Sequence, residues 1–303
     1  MPKVRWATLL MLAIAAILAL LVVLVPRRPT SPQRQAAAPE TERPAAGPAE
    51  PEPAAEGERP TISALPKEER PGPAPRPEPE ARIAVVIDDV GYSLDGLKSF
   101  LAIPFPIAFA VLPNLPHSAE AARLISAAGR ELLVHMPMEA RNGENPGPGA
   151  ILASQDDRQI EQTLEQGFAG LPAAVGMNNH MGSKATADQR VMAIVMRYLA
   201  DRGLYFLDSR TTSDTLAPAL AGRYGVRFLS RDVFVDNQTD AAYIVKAIRS
   251  GVDLARSRGQ AVLIGHVQDA ELARELTRLL PGLERQGVQL VAPSSLARRE
   301  AEP

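Results

Sequence analysis

Eight apolar runs of strand length recur between residues 83 and 291, each followed by a polar cluster or a turn. They are Ile83–Ile87, Ile107–Leu112, Leu132–Val134, Ala173–Met177, Leu204–Leu207, Val226–Leu229, Ala261–Ile264 and Val288–Val291. Near-continuous apolarity, rather than alternation, marks strands covered on both faces, as in parallel sheets. Segments of helical period separate the runs. In Asp156–Leu171, the residues Ile160, Leu164, Phe168 and Leu171 recur at three- and four-residue spacing. Ser154 with Asp157 reads as the capping box of that helix. Val191–Ala200 stops at Gly203, and Ala241–Ala255 and Leu272–Leu283 continue the series. Strand–helix units repeated seven or eight times over 82–303 predict an α/β fold, a closed or nearly closed parallel (β/α) barrel of about seven strands. A doubly wound open sheet is the alternative.

The residues before this domain have a different character. Ala7–Val25 is apolar throughout except for Thr8, long enough to cross a bilayer as a helix. A cleaved signal peptide has a shorter apolar region ending in a small-x-small site. Here the run ends LLVVLVPRR, so residues 1–25 are expected to be an uncleaved anchor. Residues 26–81 hold 15 of the 28 prolines, and Ile62 and Leu65 are their only large aliphatics. That composition offsets too little ordering entropy to fold and predicts a disordered, extended linker. The expected location is a single pass of the inner (cytoplasmic) membrane, with residues 82–303 exported to the periplasm or outer face.

A net charge of −2, from 33 basic and 35 acidic residues, argues against a nucleic-acid-coating role. The absence of cysteine excludes disulfides, thiolate metal sites and cysteine nucleophiles. Any metal must be held by His, Asp, Glu or carbonyl groups.

The polar residues gather after the strands. Asp88-Asp89 follows the first, Pro113-Asn114 the second and His135 the third, with Glu139 just beyond. Asn178-Asn179-His180 follows the fourth, Asp208-Ser209-Arg210 the fifth, Arg231-Asp232 the sixth and His266 the seventh. Parallel strands bring these ends to one face, where α/β enzymes carry their chemistry. A lone Asp after a strand is commonly a turn former. Two adjacent ones repel unless something neutralises one, and a cation does so. His117, beside Ser118 at a helix start, reads as surface structure.

The motifs IDDVG (87–91), HMPME (135–139), MNNHMGS (177–183), LDSRT (207–211), SRDVFVDN (230–237) and IGH (264–266) resemble the divergent polysaccharide deacetylase family. The resemblance spans Ile83 to about Leu296. It implies a distorted parallel (β/α) barrel holding a divalent metal, zinc first, with an acetylated amino sugar as substrate. It also implies Asp88 as base, Asp89 as metal ligand and His266 as acid. Where that family's relatives carry two histidines four apart, this chain has His135 and Glu139. Either Glu139 or His180 completes an Asp89–His135 site, and His180 keeps the Asp-His-His donor set. Asp208, Arg231 and Asp232 are expected to orient Asp88 or His266, and Arg210 is expected to support the site or bind substrate. Asn178 and Asn179 are expected to contact sugar hydroxyls or shape the loop. The divergent family commonly has proline after the late histidine, whereas Val267-Gln268-Asp269 follows here. The domain is poor in aromatic platforms, with Tyr92, Phe105, Phe109 and Phe234 near strand ends, and Arg141–Gly149 reads as a flap or a plain loop. The rival reading is a non-catalytic envelope binding or scaffold protein that keeps the barrel.

Overall fold

Strand and helix alternate along the chain from its first described residue. The computed structural model describes residues 81–299. The apolar run at 7–25 and the linker to residue 80 lie outside the described residues. Among the described residues, no helix is long and apolar enough to cross a membrane. Ala81, expected to end the linker, is buried and opens the first strand.

The strands are β1 (Ala81–Val90), β2 (Ile107–Val111), β3 (Leu132–Met138), β4 (Gly176–Met181), β5 (Tyr205–Asp208), β6 (Arg227–Ser230), β7 (Val233–Phe234), β8 (Gln260–His266), β9 (Val288–Leu290) and β10 (Arg298–Arg299). The α-helices are α1 (Asp95–Leu101), α2 (Ser118–Ala127), α3 (Asp157–Ala169), α4 (Gln189–Asp201), α5 (Ala217–Tyr224), α6 (Ala241–Arg258), α7 (Ala270–Arg285) and α8 (Pro293–Leu296). They form one ten-stranded sheet in the order β10-β6-β5-β4-β3-β2-β1-β8-β7, with β9 also paired to β1. Every ladder is parallel except β10 on β6.

The expectation of about seven parallel strands therefore needs correction. The sheet is mixed, has ten strands, and forms a half-barrel, because consecutive β6 and β7 lie towards opposite ends of the strand order. The extra strands β7 and β10 have two residues each, too few to show a period. The helix expected over Asp156–Leu171 is α3, but its capping box is Asp156 with Gln159, not Ser154 with Asp157. Such a cap contributes about 1 kcal/mol.

Alternation along the strands creates two apolar layers. Ile83, Val85 and Ile87 of β1 join the large cluster that meets the helices, including Leu97, Ile125, Ile160, Val195 and Leu276. Ala84, Val86, Ala108, Ala110, Leu133, Tyr205, Leu207, Leu229, Val262 and Ile264 form the inner cluster. Burying one such aliphatic side chain contributes about 1.5–3 kcal/mol. The C-terminal segment crosses one end of this interior. It leaves β9 beside β1, contributes Leu296 and Ala297 to the inner cluster, and ends as β10 on β6. Glu131 anchors it, accepting from Ser294 N (3.0 Å) and Oγ and from Tyr205 Oη (2.6 Å). The opposite end carries the polar side chains.

Candidate active site

The inner parity, continued past the apolar residues, supplies the site. Ala84 and Val86 lead to Asp88, Leu133 to His135, and Val262 and Ile264 to His266. Register sets their neighbours: Asp88 pairs with His266 across β1 and β8, and His135 with Asn178 across β3 and β4. Asp89 has the wrong parity, yet it joins them. Between Ile87 and Val90 the β1–β2 register slips by one residue, and Asp89 takes φ 62°. A bulge of this kind re-aims a side chain. Asn114, Met181 and Arg210, also at or just beyond strand ends, share positive φ. Among the described residues, positive φ at non-glycine positions is confined to the rim that carries the polar groups.

Three donor atoms converge. Asp89 Oδ1 lies 3.1 Å from His135 Nε2 and 2.9 Å from His180 Nδ1, and the two imidazole nitrogens are 3.1 Å apart. Among the described residues, Asp89, His135 and His180 are the group of His and acidic side chains able to hold a metal ion. Two facing ring nitrogens at that separation need a proton or a cation between them. Ligand atoms about 2.1 Å from a common centre sit about 3.0–3.4 Å apart in octahedral or tetrahedral sites, so the spacing fits a small divalent ion.

Asn178 organises this corner. Fully buried, it donates from Nδ2 to Asp88 Oδ1 (2.8 Å) and accepts at Oδ1 from His135 Nδ1 (2.8 Å). With Nδ1 carrying the proton, His135 presents its Nε2 lone pair to Asp89's side of the site. Burial raises the Asp88 pKa, outweighing the nearby His135 and His266 charges and the Asn178 hydrogen bond. For Asp89 burial acts the same way, but hydrogen bonds and charge from His135 and His180 prevail and hold it well below the usual carboxylate range. Burial disfavours His135 cation, yet the charge of Asp88 and the contacts of Asp89 raise its pKa.

His266 is held by a residue that the strand pattern does not reveal. Its Nδ1 sits 3.1 Å from both oxygens of Asp236, a buried carboxylate just after β7. Burial opposes the imidazolium, but the hydrogen bond and charge of Asp236, with Asp88 and Asp89 nearby, push the pKa up to about 9. The ring stacks on Phe234 (5.6 Å between centroids), whose other partner is the Arg231 guanidinium at 3.8 Å. The only sequence signal for Asp236 is its place in the SRDVFVDN motif.

The remaining expected residues divide. Arg231 donates to the carbonyls of Ser209 (2.8 Å) and Arg210 (3.1 Å), so it braces the β5–β6 rim and Phe234. Asp208 is buried and accepts from Arg210 N (2.7 Å), and burial raises its pKa. Asn179 is buried and accepts from Ser209 N (2.9 Å) while donating to Met181 O (2.7 Å), so it shapes the rim and does not reach outward. Arg210, exposed, contributes its backbone to the same turn.

Two candidate residues stand apart from the site. Glu139 pairs with Lys184 (2.7 Å) and accepts from Ala153 N (2.7 Å), away from the donor triad. Asp232 accepts from Val262 N (2.8 Å), four residues before His266 in β8, and faces Arg258 (3.5 Å). It occupies the place of a strand partner on the open β8 edge and orients neither Asp88 nor His266. His117 ends the turn before α2, as expected of surface structure.

Fold and site together define an α/β half-barrel protein with a candidate Asp-His-His cation corner beside a buried Asp and an Asp–His pair. The chain belongs to the divergent polysaccharide deacetylase family, whose pattern matches residues 85–297. An uncharacterized protein of Haemophilus influenzae is 33% identical over 223 residues, covering 73% of this chain and 78% of its own. The uncharacterized protein YibQ of Escherichia coli is 36% identical over 215 residues, 71% of this chain and 67% of its own. Among solved structures, an uncharacterized protein of Agrobacterium tumefaciens superposes with TM-score 0.69 at 24% identity, covering 72% of this chain and 89% of that one. A putative cellobiose-phosphate cleavage protein of Enterococcus faecalis gives TM-score 0.53 at 12% identity, covering 72% and 99%. These two likenesses concern the fold.

Proposed function

We propose that the protein is a metal-dependent hydrolase that removes acetyl groups from an amino sugar or polysaccharide of the cell envelope. In this reading residues 7–25 anchor it in the inner membrane and its domain stands on the outer face. The observation that carries the reading is the convergence of the Asp89–His135–His180 donors with Asp88 and the Asp236–His266 pair on one rim. A divalent cation such as zinc, held by Asp89, His135 and His180, would polarise an acyl carbonyl and make a water more acidic.

The chain's own groups supply the proton transfers. Asp88 Oδ2 lies 3.8 Å from His135 Nε2, beside the donor triad, and its burial makes it the stronger base. It takes the proton of the attacking water as the water oxygen bonds to the acetyl carbon. His266 is protonated at neutral pH, and Asp236 occupies its Nδ1, leaving Nε2 to donate. That proton goes to the departing nitrogen as the carbon–nitrogen bond breaks, giving acetate and an amine. The cleft in front is lined by Asp89, Asp236, Thr239, His266, Gln268 and Asp269, with a volume of about 370 Å³.

The test is acetate release from N-acetylated chitooligosaccharides and peptidoglycan fragments, with metal content measured in parallel. Asp89→Ala, His135→Ala and His180→Ala should lose the metal, and Glu139→Ala should keep it. Asp88→Asn and His266→Gln should keep it while turnover disappears. One observation favours the non-catalytic alternative: Asp88 is 1% exposed and tied to Asn178. Metal-loaded protein that binds the oligosaccharides without releasing acetate would support that alternative.

A further inference from the structure

We propose that Gln268 is a positioning residue for the cation corner, fixing which oxygen of Asp89 faces the two histidines. The inference rests on the metal reading of Asp89, His135 and His180. Asp89 Oδ1 faces both imidazoles, and its other oxygen, Oδ2, accepts from Gln268 Nε2 at 3.0 Å. A carboxylate on a bulge, with positive φ, could swing either oxygen toward a cation. The amide removes that freedom: it neutralises Oδ2 as an acceptor and leaves Oδ1 as the ligand atom. Partners of this kind, one bond removed from the metal, orient its ligands.

The loop that carries Gln268 is itself fixed. Val267 N donates to Asp88 O (3.1 Å), tying the loop to the end of β1. Asp269 N donates to His266 O (3.2 Å), and Asp269 caps α7 by accepting from Leu272 N (3.0 Å). On the outer side, α1 approaches so closely that a Cβ on Gly96 would collide with the Val267 carbonyl. Gln268 thus reaches from a braced platform, and its own side chain is exposed. The segment following His266 therefore links the acid to the ligand set: His266 and Asp89 are joined through two residues of one loop.

Cation affinity and ligand-field spectra of the full chain in neutral detergent test the idea without any turnover assay. Zinc affinity is measured by chelator competition, and cobalt(II) absorption reports the ligand arrangement. Gln268→Met keeps length and removes the donor, and Gln268→Ala removes both. An exposed side chain leaves the unfolding transition in place, so lost affinity is separable from lost fold. Both variants are expected to bind zinc about tenfold more weakly and to shift the cobalt band. If Asp89→Ala loses zinc while Gln268→Met and Gln268→Ala bind within twofold of the parent with an unchanged cobalt spectrum, the inference is overturned and the metal reading stands. If the parent chain binds no better than Asp89→Ala, the metal reading fails and this inference with it.

Discussion

Replacing Asp236 by Asn removes the charge beside His266 and keeps the side chain's shape. Both carboxylate oxygens lie 3.1 Å from His266 Nδ1. At that separation, even the dielectric of bulk water gives about 1.3 kcal/mol, or about one pK unit. Asp236 is almost completely buried, so one unit is a floor. The raised value, about 9 against an ordinary 6.5, keeps roughly 97% of His266 protonated at pH 7.5, and the ordinary value would leave roughly 9%. Asp88 and Asp89 retain part of the shift, so Asp236→Asn should lower the midpoint by at least about one unit. The sign follows: the stability that protonated His266 contributes is full below about 6.5 and is lost as pH rises through about 9. The variant brings that alkaline loss to lower pH. The assay is an NMR titration of metal-free full chain with labelled histidine, where four imidazoles give a sparse spectrum. A parent midpoint near 6.5, or a variant midpoint within about 0.3 unit of the parent, would refute the reasoning.

Two further changes probe the frame around the site. Asn178→Leu leaves Asp88 Oδ1 and His135 Nδ1 without their shared partner, at about 1–3 kcal/mol for each buried group. Urea unfolding should show a loss of at least about 2 kcal/mol, and a loss under 1 kcal/mol would contradict the bridging role. Gly265→Ala drives a Cβ into Leu272 Cδ2 and to 3.0 Å from Val235 Cγ2, so it should cost about 1–3 kcal/mol by overpacking. An unchanged melting temperature would show that the β8–α7 seam yields to an added methyl group.

Sequence reading reached Asp88, Asp89, His135, His180 and His266 because each follows an apolar run, and parallel strands bring such positions to one rim. It stopped short where apolarity stopped marking structure. The run Ala173–Met177 ends where β4 has barely begun, since the strand continues through Asn178, Asn179 and His180. Those polar residues stay in the strand because their side chains pair with Asp88, Asp89, His135, Ser209 and the Met181 carbonyl. Asp236 follows a two-residue strand and offers no period to read. Asp232 looked like a rim residue because it follows β6. The chain instead crosses there toward β8, and the open edge takes its carboxylate. Donor chemistry favours His180 over Glu139 as the third ligand, and the structure adds what the sequence does not carry: Lys184 and Ala153 N occupy the Glu139 carboxylate.

The C-terminal crossing has a consequence for how the molecule is made. Strand β1 pairs with Ile107 within about twenty residues, but its other ladders wait for β8 and for Val288, which meets Ala81. Closing a loop of that size is slow compared with forming the intervening strand–helix units. A chain emerging from its N-terminal end can build β2 to β6 early, while Asp88 still lacks the strand that holds His266. Asp88 and His266 therefore come into register only after nearly the whole polypeptide is available. The order of synthesis thus delays assembly of the polar rim until the domain is all but complete.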